Sequence, residues 1–459
     1  MMKETSKNLQ PSYLLKLTWP VFIELILQML VGNMDQFMVG RYSQLSVGAI
    51  GNANQILNVL IITFSVISTA AMILISQYLG ANEQQKVHQL YTLSFVVNTA
   101  LSLVIGAVLL LCNRPIFQLM KVPAELMQES RQYISIIGSC MFLQAIQLTL
   151  SAFFRSHAMM KESMIVSVVI NIVNIGGNMV LINGMFGFPA MGVVGAAISS
   201  NLSRVVGLAI MFWLFYKKLG ARFSLQHLRP FPKNMLRQLL HIGLPSGGES
   251  LSYNMTQVFI MTFVNLFGAV SINTKVYASM FAMCSYLFSS AIGQASQVIV
   301  GYLVGAGDLK NTDRQVWYTC KLSMLVSLAV ATVLCVLSRP IFGIFTSDPE
   351  VIQLGATIML IEIFLEWGRS VNIVMVRCLQ AAGDIRFPVT LGILSAWIVA
   401  VLGGYLTGVV AGLGLVGIWA AMACDECIRA VVFLLRWKSG AWKNKSFVEP
   451  KEKILARQA

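Results

Sequence analysis

The chain is a succession of long apolar runs separated by short polar stretches, unlike the mixed pattern of a protein that packs in water. A bilayer core about 30 Å thick is crossed by about 20 apolar residues in a helix rising about 1.5 Å per residue. On that template spanning helices are predicted near 14–39, 49–79, 91–112, 129–153, 163–183 and 191–216. They resume near 238–267, 276–304, 316–337, 353–380, 388–408 and 413–435. An even count of twelve puts both ends of the chain on one side. Residues 1–10 are polar, and the first apolar run carries Glu24 and Asp35 and continues past any small-residue cleavage site. It is expected to remain as the first span and not to act as a cleaved signal.

The pattern repeats. Pro20 and Glu24 recur as Pro245 and Glu249, and Arg114-Pro115-Ile116-Phe117 recurs as Arg339-Pro340-Ile341-Phe342, both at an offset of 225. Gly192-x-x-Gly195 matches Gly414-x-x-Gly417 at 222. Six helices per repeat give both halves the same orientation, with their symmetry axis along the membrane normal, an architecture of secondary transporters. The expected organisation is a tail over 1–13, a lobe over 14–216, a basic linker over 217–237, a second lobe over 238–435 and a basic tail over 436–459. The Arg-Pro-Ile-Phe copies are predicted to be proline-initiated outer turns.

Composition sharpens the picture. Of 459 residues 56% are hydrophobic and 11% charged, against about 25% charged in soluble domains. The net charge of +14 would suit nucleic acid only if a soluble domain carried it. Instead the basic residues cluster between apolar runs: Lys217, Lys218, Arg222, Arg229, Lys233 and Arg237 in one segment, and Arg436, Lys438, Lys443, Lys445, Lys451, Lys453 and Arg457 in the tail. The loops on the opposite side hold Arg41, Arg114, Lys121, Arg131 and Arg339. This bias predicts a multi-pass protein of the plasma membrane with both termini cytoplasmic, and no nucleic-acid partner. The cysteines lie almost entirely inside apolar runs and read as small buried hydrophobes. Cys424-x-x-Cys427 lacks a second ligand pair, so no structural metal is expected.

Ionisable residues within apolar helices are costly and mark function. The acids are Glu24, Asp35, Glu249, Glu362, Glu366, Asp425 and Glu426; the bases are Arg204, Lys275, Arg369 and Arg429. Glu366 with Arg369, and Glu426 with Arg429, stand three residues apart and can neutralise one another on one helix. Asp35 has no basic residue within one turn and is flanked by Asn33 and Gln36. Such a carboxylate either takes up a proton or a sodium ion and changes charge as it does so, or sits hydrated at the outer helix mouth. Pro20 removes the backbone bond to residue 16, which makes it either a hinge or a static kink.

Asp35-x-x-x-x-Gly40-Arg41, with Pro20 fifteen residues before Asp35, resembles the multidrug and toxic compound extrusion (MATE) family. So do the Gly195-Ala-Ala-Ile-Ser199 run and Gln380-Ala-Ala-Gly-Asp384-x-x-x-Pro388, and the resemblance extends over 14–436. It implies an all-α integral membrane protein with twelve transmembrane helices in two parallel-repeat six-helix lobes around a V-shaped cavity. It further implies a secondary-active antiporter, not an enzyme, that exports drug-like and often cationic organic compounds in exchange for H+ or Na+ by alternating access. Such a protein works as a monomer in the bilayer, with no cofactor beyond the coupling ion. Asp35 matches the first-helix aspartate of cation coupling, where Na+ is one possible occupant, and Asn174 matches an asparagine on the fifth helix. Asn178 stands where many members carry aspartate, which leaves Asp35 as the sole charge of that site. Ser199 or Ser200 would add a hydroxyl. These asparagines are otherwise interhelical glue, worth about 0.6–2 kcal/mol each.

In the other lobe the resemblance points to acids on the seventh and tenth helices. Glu249 and either Glu362 or Glu366 are candidates, but Arg369 falls where the tenth-helix acid is expected. Glu249 is then either a substrate counter-ion or a partner of Lys275. A single carboxylate among neutral ligands suits a proton better than sodium, which prefers more oxygen ligands and charge. Methionines and aromatics such as Phe153, Phe154, Tyr253, Phe281 and Tyr286 either stack on planar cations or simply pack helices. No G-x-x-x-x-G-K-[ST] motif of a primary pump occurs, and His88, His157, His227 and His241 lie in separate segments without metal-ligand spacing. A flippase for lipid-linked saccharides, which needs cationic residues for the pyrophosphate, is the alternative that Arg204, Lys275, Arg369 and Arg429 leave open.

Overall fold

The computed structural model describes residues 11–40 and 43–448. Arg41 and the tail residues Lys451, Lys453 and Arg457 lie outside the described residues, as do most of the 1–13 tail and the end of the 436–459 tail. Twelve long helices occupy the twelve predicted intervals. These are α1 (Pro11–Gly40), α2 (Gln44–Gly80), α3 (Gln84–Leu119), α4 (Ala124–Ser139 and Met141–Ser156, bent by 49°), α5 (Met160–Asn183) and α6 (Val193–Leu219). The second set is α7 (Lys233–Asn265), α8 (Gly268–Gly305), α9 (Leu309–Val336), α10 (Pro349–Ala381), α11 (Arg386–Val410) and α12 (Gly414–Lys438), with a short helix, Ser338–Phe345, ahead of α10. Nine of them, and the bent α4 as a tenth, are apolar and long enough to cross a membrane. The other two, α7 and α12, fall short because α7 carries Pro245, three glycines and Glu249, and α12 carries Asp425, Glu426 and Arg429.

Several helices outrun their apolar stretches. α3 has 36 residues where 91–112 was predicted, so it rises about 54 Å and extends beyond the lipid at both ends. That length overturns the expected turn at Arg114-Pro115-Ile116-Phe117, which lies inside the last turns of α3. The matching Arg339–Phe342 lies in the short helix after a break at Leu337. What the two copies share is burial: Phe117 and Phe342 are both fully enclosed, each in a separate apolar core. Helix ends follow local rules. Left-handed glycines close α5 (Gly184, φ 71°) and α6 (Gly220, φ 58°). Asp348 caps α10 by accepting from the Glu350 amide at 2.9 Å, with Pro349 at the first helical position.

The chain divides into two compact units. One comprises 23–75 and 83–243, built round Val39, Phe64, Phe117, Ile134 and Ala196. The other takes the described chain up to Phe22, 76–82 and everything from Leu244, built round Ile260, Phe342, Ile358 and Trp419. Within the second unit the end of α2 crosses the end of α8 almost backbone to backbone: a Cβ on Gly80 would lie 2.0 Å from the Tyr302 carbonyl oxygen, and one on Gly305 1.9 Å from that of Gln77. Three helices, α1, α2 and α7, pass from one unit into the other, and in α1 the passage falls two residues after Pro20.

Candidate functional site

Asp35 lies in the last third of α1, 4% exposed. The polar residues of α5 recur at steps of three and four, Ser163, Ser167, Asn171, Asn174 and Asn178, so they share one face of the helix, and all are buried. From that face Asn178 Nδ2 donates to Asp35 Oδ1 at 2.6 Å, and it also lies 3.4 Å from Asn174 Oδ1. From α6, Ser200 Oγ donates to Asp35 Oδ2 at 2.9 Å and in turn accepts from Asn174 Nδ2 at 3.0 Å. Ser199 turns the other way and donates to the Asn174 backbone carbonyl at 2.8 Å. Of the two serines, Ser200 touches the carboxylate and Ser199 fixes α6 to α5, an approach that Gly177 permits: a Cβ there would lie 2.4 Å from Ser199 Oγ. Asn178 Oδ1 is buried without a partner.

Arg204, one turn beyond Ser200 on α6, is in electrostatic reach of Asp35, as is the buried Tyr133 hydroxyl from α4. Local sequence hid both, because they arrive from helices far along the chain. Among the described residues Asp35 is the one carboxylate of this site, with its oxygens already engaged by N–H and O–H donors. Protonation would give one of these oxygens a hydrogen to donate and remove the charge that strengthens the bonds from Asn178 and Ser200.

A second buried acid sits lower on α1. Glu24 Oε1 accepts from Arg155 Nη2 of α4 at 2.7 Å and from Ser163 Oγ of α5 at 3.1 Å, while its Oε2 has no partner.

In the other unit the local ion pairs exist, each widened by a second carboxylate. Arg369 Nη1 holds Glu366 at 2.5 Å and Glu362 at 3.2 Å. Arg429 Nη2 holds Glu426 at 3.0 Å and Asp425 at 2.5 Å. The outer oxygens are also bonded, Glu362 by Trp419 Nε1 at 2.7 Å, Glu366 by Ser285 Oγ at 2.5 Å, and Glu426 by Asn372 Nδ2 at 2.6 Å. Asn372 extends the spacing of Glu362, Glu366 and Arg369 along one face of α10, a signal present in the sequence. Arg369 and Glu426 border a narrow cleft with Tyr253, Gln257 and Met422, where α11 winds as π-turns over Ala396–Leu402, a feature frequent at functional sites. Glu249 does not pair with Lys275: its charged neighbours are Arg429 and Arg377. Lys275, one helix on, is not drawn into the network.

Comparison with known proteins fits this arrangement. A profile of the MatE family matches residues 20–180 and again 245–406. The chain belongs to the MatE family. The two matches begin at Pro20 and Pro245, the residues that open the internal repeat. This MatE chain is 36% identical over 432 residues to the uncharacterized transporter YisQ of Bacillus subtilis (strain 168), covering 94% of this chain and 95% of that one. It is 26% identical to the probable multidrug resistance protein NorM of Thermotoga maritima, covering 94% and 93%. The crystal structure of the Vibrio cholerae MATE transporter VcmN in the bent form superposes with a TM-score of 0.87 at 20% identity, over 95% of this chain and 97% of that one. The MatE chain is thus a membrane protein of a transporter family, with twelve helices in two six-helix halves.

Proposed function

We propose that the chain is a proton-driven antiporter of the plasma membrane that exports drug-like organic cations by alternating access. It works as a monomer, with both termini cytoplasmic and lobes over 14–216 and 238–435. The NorM relatives, named for multidrug resistance, support the substrate class. The observation that carries the choice of ion is that both Asp35 oxygens are already taken by donors, Asn178 Nδ2 and Ser200 Oγ. A sodium ion at Asp35 would have to displace the Asn178 and Ser200 donors within electrostatic reach of Arg204, whereas a proton needs only one carboxylate oxygen. In this cycle Asp35 takes a proton from outside, its bonds to Asn178 and Ser200 weaken with the loss of charge, and α1 is freed to bend near Pro20. Loss of the proton inside restores those bonds. Glu249, Glu362, Glu366 and Arg369 border the substrate path as counter-charges and not as a second cation site. The saccharide-flippase alternative is weakened because Arg369 and Arg429 are each committed to two carboxylates. In proteoliposomes given separate gradients, ethidium efflux is expected to follow the proton gradient. Efflux that follows sodium with the proton gradient collapsed overturns the choice of ion.

A further inference from the structure

The proton that Asp35 takes up needs a way to the other side, and the first unit offers one. Glu24 and Asp35 are eleven residues apart on α1, about three turns, so they lie on the same face and about 16 Å apart along the axis. The buried face of α5 spans that interval. Ser163 at its lower end bonds Glu24, Asn178 at its upper end bonds Asp35, and Ser167, Asn171 and Asn174 stand between, each one turn from the next. A turn is about 5.4 Å, a gap that one water bridges with two hydrogen bonds. Glu24 is 1% exposed and stands within a turn of the 157–159 loop, since Arg155 is in the last turn of α4 and Ser163 in the first turn of α5. Its two oxygens differ. Oε1 takes Arg155, Ser163 and, at 3.4 Å, Gln28, while Oε2 is buried and bare. Arg155 from α4 is the charged group facing it; Ser151 and Ser163 contribute only hydroxyls.

We propose that Glu24 is a second proton-carrying residue of the transport cycle, which receives at Oε2 the proton that Asp35 gives up and passes it to the inner aqueous phase. The transfer balances as Asp35-COOH and Glu24-COO⁻ becoming Asp35-COO⁻ and Glu24-COOH, with Glu24 then returning its proton to water. Arg155 holds Oε1 throughout and re-forms the neutral pair after release. The relay rests on the reading of Asp35 as a proton site. Glu24 is not a substrate contact, so substrate binding should not depend on it.

The test compares reconstituted wild type with Glu24→Gln, Glu24→Asp and Asn171→Leu, reading ethidium-driven proton movement with an internal pH dye, ethidium binding, and the melting temperature. Glu24→Gln should slow proton movement at least tenfold and flatten its dependence on internal pH, with binding unchanged. Glu24→Asp should restore most of the rate, and Asn171→Leu, which interrupts the ladder midway, should slow it without lowering the melting temperature. Proton movement at the wild-type rate and pH dependence in Glu24→Gln overturns the relay. So does a Glu24→Asp protein as slow as Glu24→Gln with both melting temperatures lowered in step, the mark of a static anchor. A wild type that exports ethidium with no proton movement sinks the antiport reading and the relay together, whereas surviving flux in Glu24→Gln sinks the relay alone.

Discussion

Asp35 accepts from Asn178 and Ser200 and lies in electrostatic reach of Tyr133 and Arg204, the four coming from three other helices in all. Replacement by asparagine keeps the shape and removes the titratable oxygen, so Asp35→Asn should fold and purify as the wild type does while losing coupled efflux. Normal efflux by a well-folded Asp35→Asn protein would contradict the assignment. Asn178→Asp replaces the donor that holds Asp35 with a second negatively charged oxygen, next to the already bare Oδ1, and should make ethidium efflux respond to a sodium gradient; an unchanged lack of response would show that charge does not set the ion. His157, in the loop after α4, is pulled down to about 4 from 6.5 by burial, and its Nε2 is paired with the Tyr91 hydroxyl. The unfolded chain therefore binds more protons between those values. Stability is full above about pH 6.5 and falls as the pH drops toward 4, by at most about 3 kcal/mol at about 1.36 kcal/mol per pH unit. Melting of the detergent-solubilised protein should show that slope, and His157→Gln should flatten it.

The elements were largely legible because the bilayer demands one signal, about 20 apolar residues, and the chain repeats it in ten of its twelve long helices, with α7 and α12 filling the remaining two intervals. What was not legible follows from the same physics. Lipid sets where an apolar run must lie but not where a helix stops, so α3 overran its run and the Arg114–Phe117 turn was misplaced. Spacing along one helix exposed the Glu366–Arg369 and Glu426–Arg429 pairs, whereas Arg204 and Tyr133 reached Asp35 through packing that no local pattern encodes. Nor did the sequence mark Gly80 and Gly305 among 35 glycines. Their crossing leaves no room for a methyl group, so alanine at either should cost about 1–3 kcal/mol, read as a lower melting temperature; an unchanged melting point would mean the helices separate freely there. Pro20 stands two residues before α1 passes between units. Pro20→Ala should retain ethidium binding with slower turnover, and unchanged turnover would leave the proline as packing.

At the scale of the whole molecule, two halves with one ancestry hold their buried charges differently. The first carries two separate carboxylates on one helix, each faced by one arginine, and the second carries four carboxylates shared between two arginines with Glu249 beside them. A duplicated scaffold can thus move a proton in one half and balance a cationic substrate in the other. The coupling is reciprocal: a substrate that favours the deprotonated state of Asp35 must release its proton on binding. The most direct measurement is the pH change when ethidium is added to purified protein in weakly buffered detergent solution. The wild type should release about one proton per ethidium bound, as one exchangeable carboxylate requires, and Asp35→Asn should release none. Binding without proton release in the wild type, or equal release by Asp35→Asn, would contradict the account.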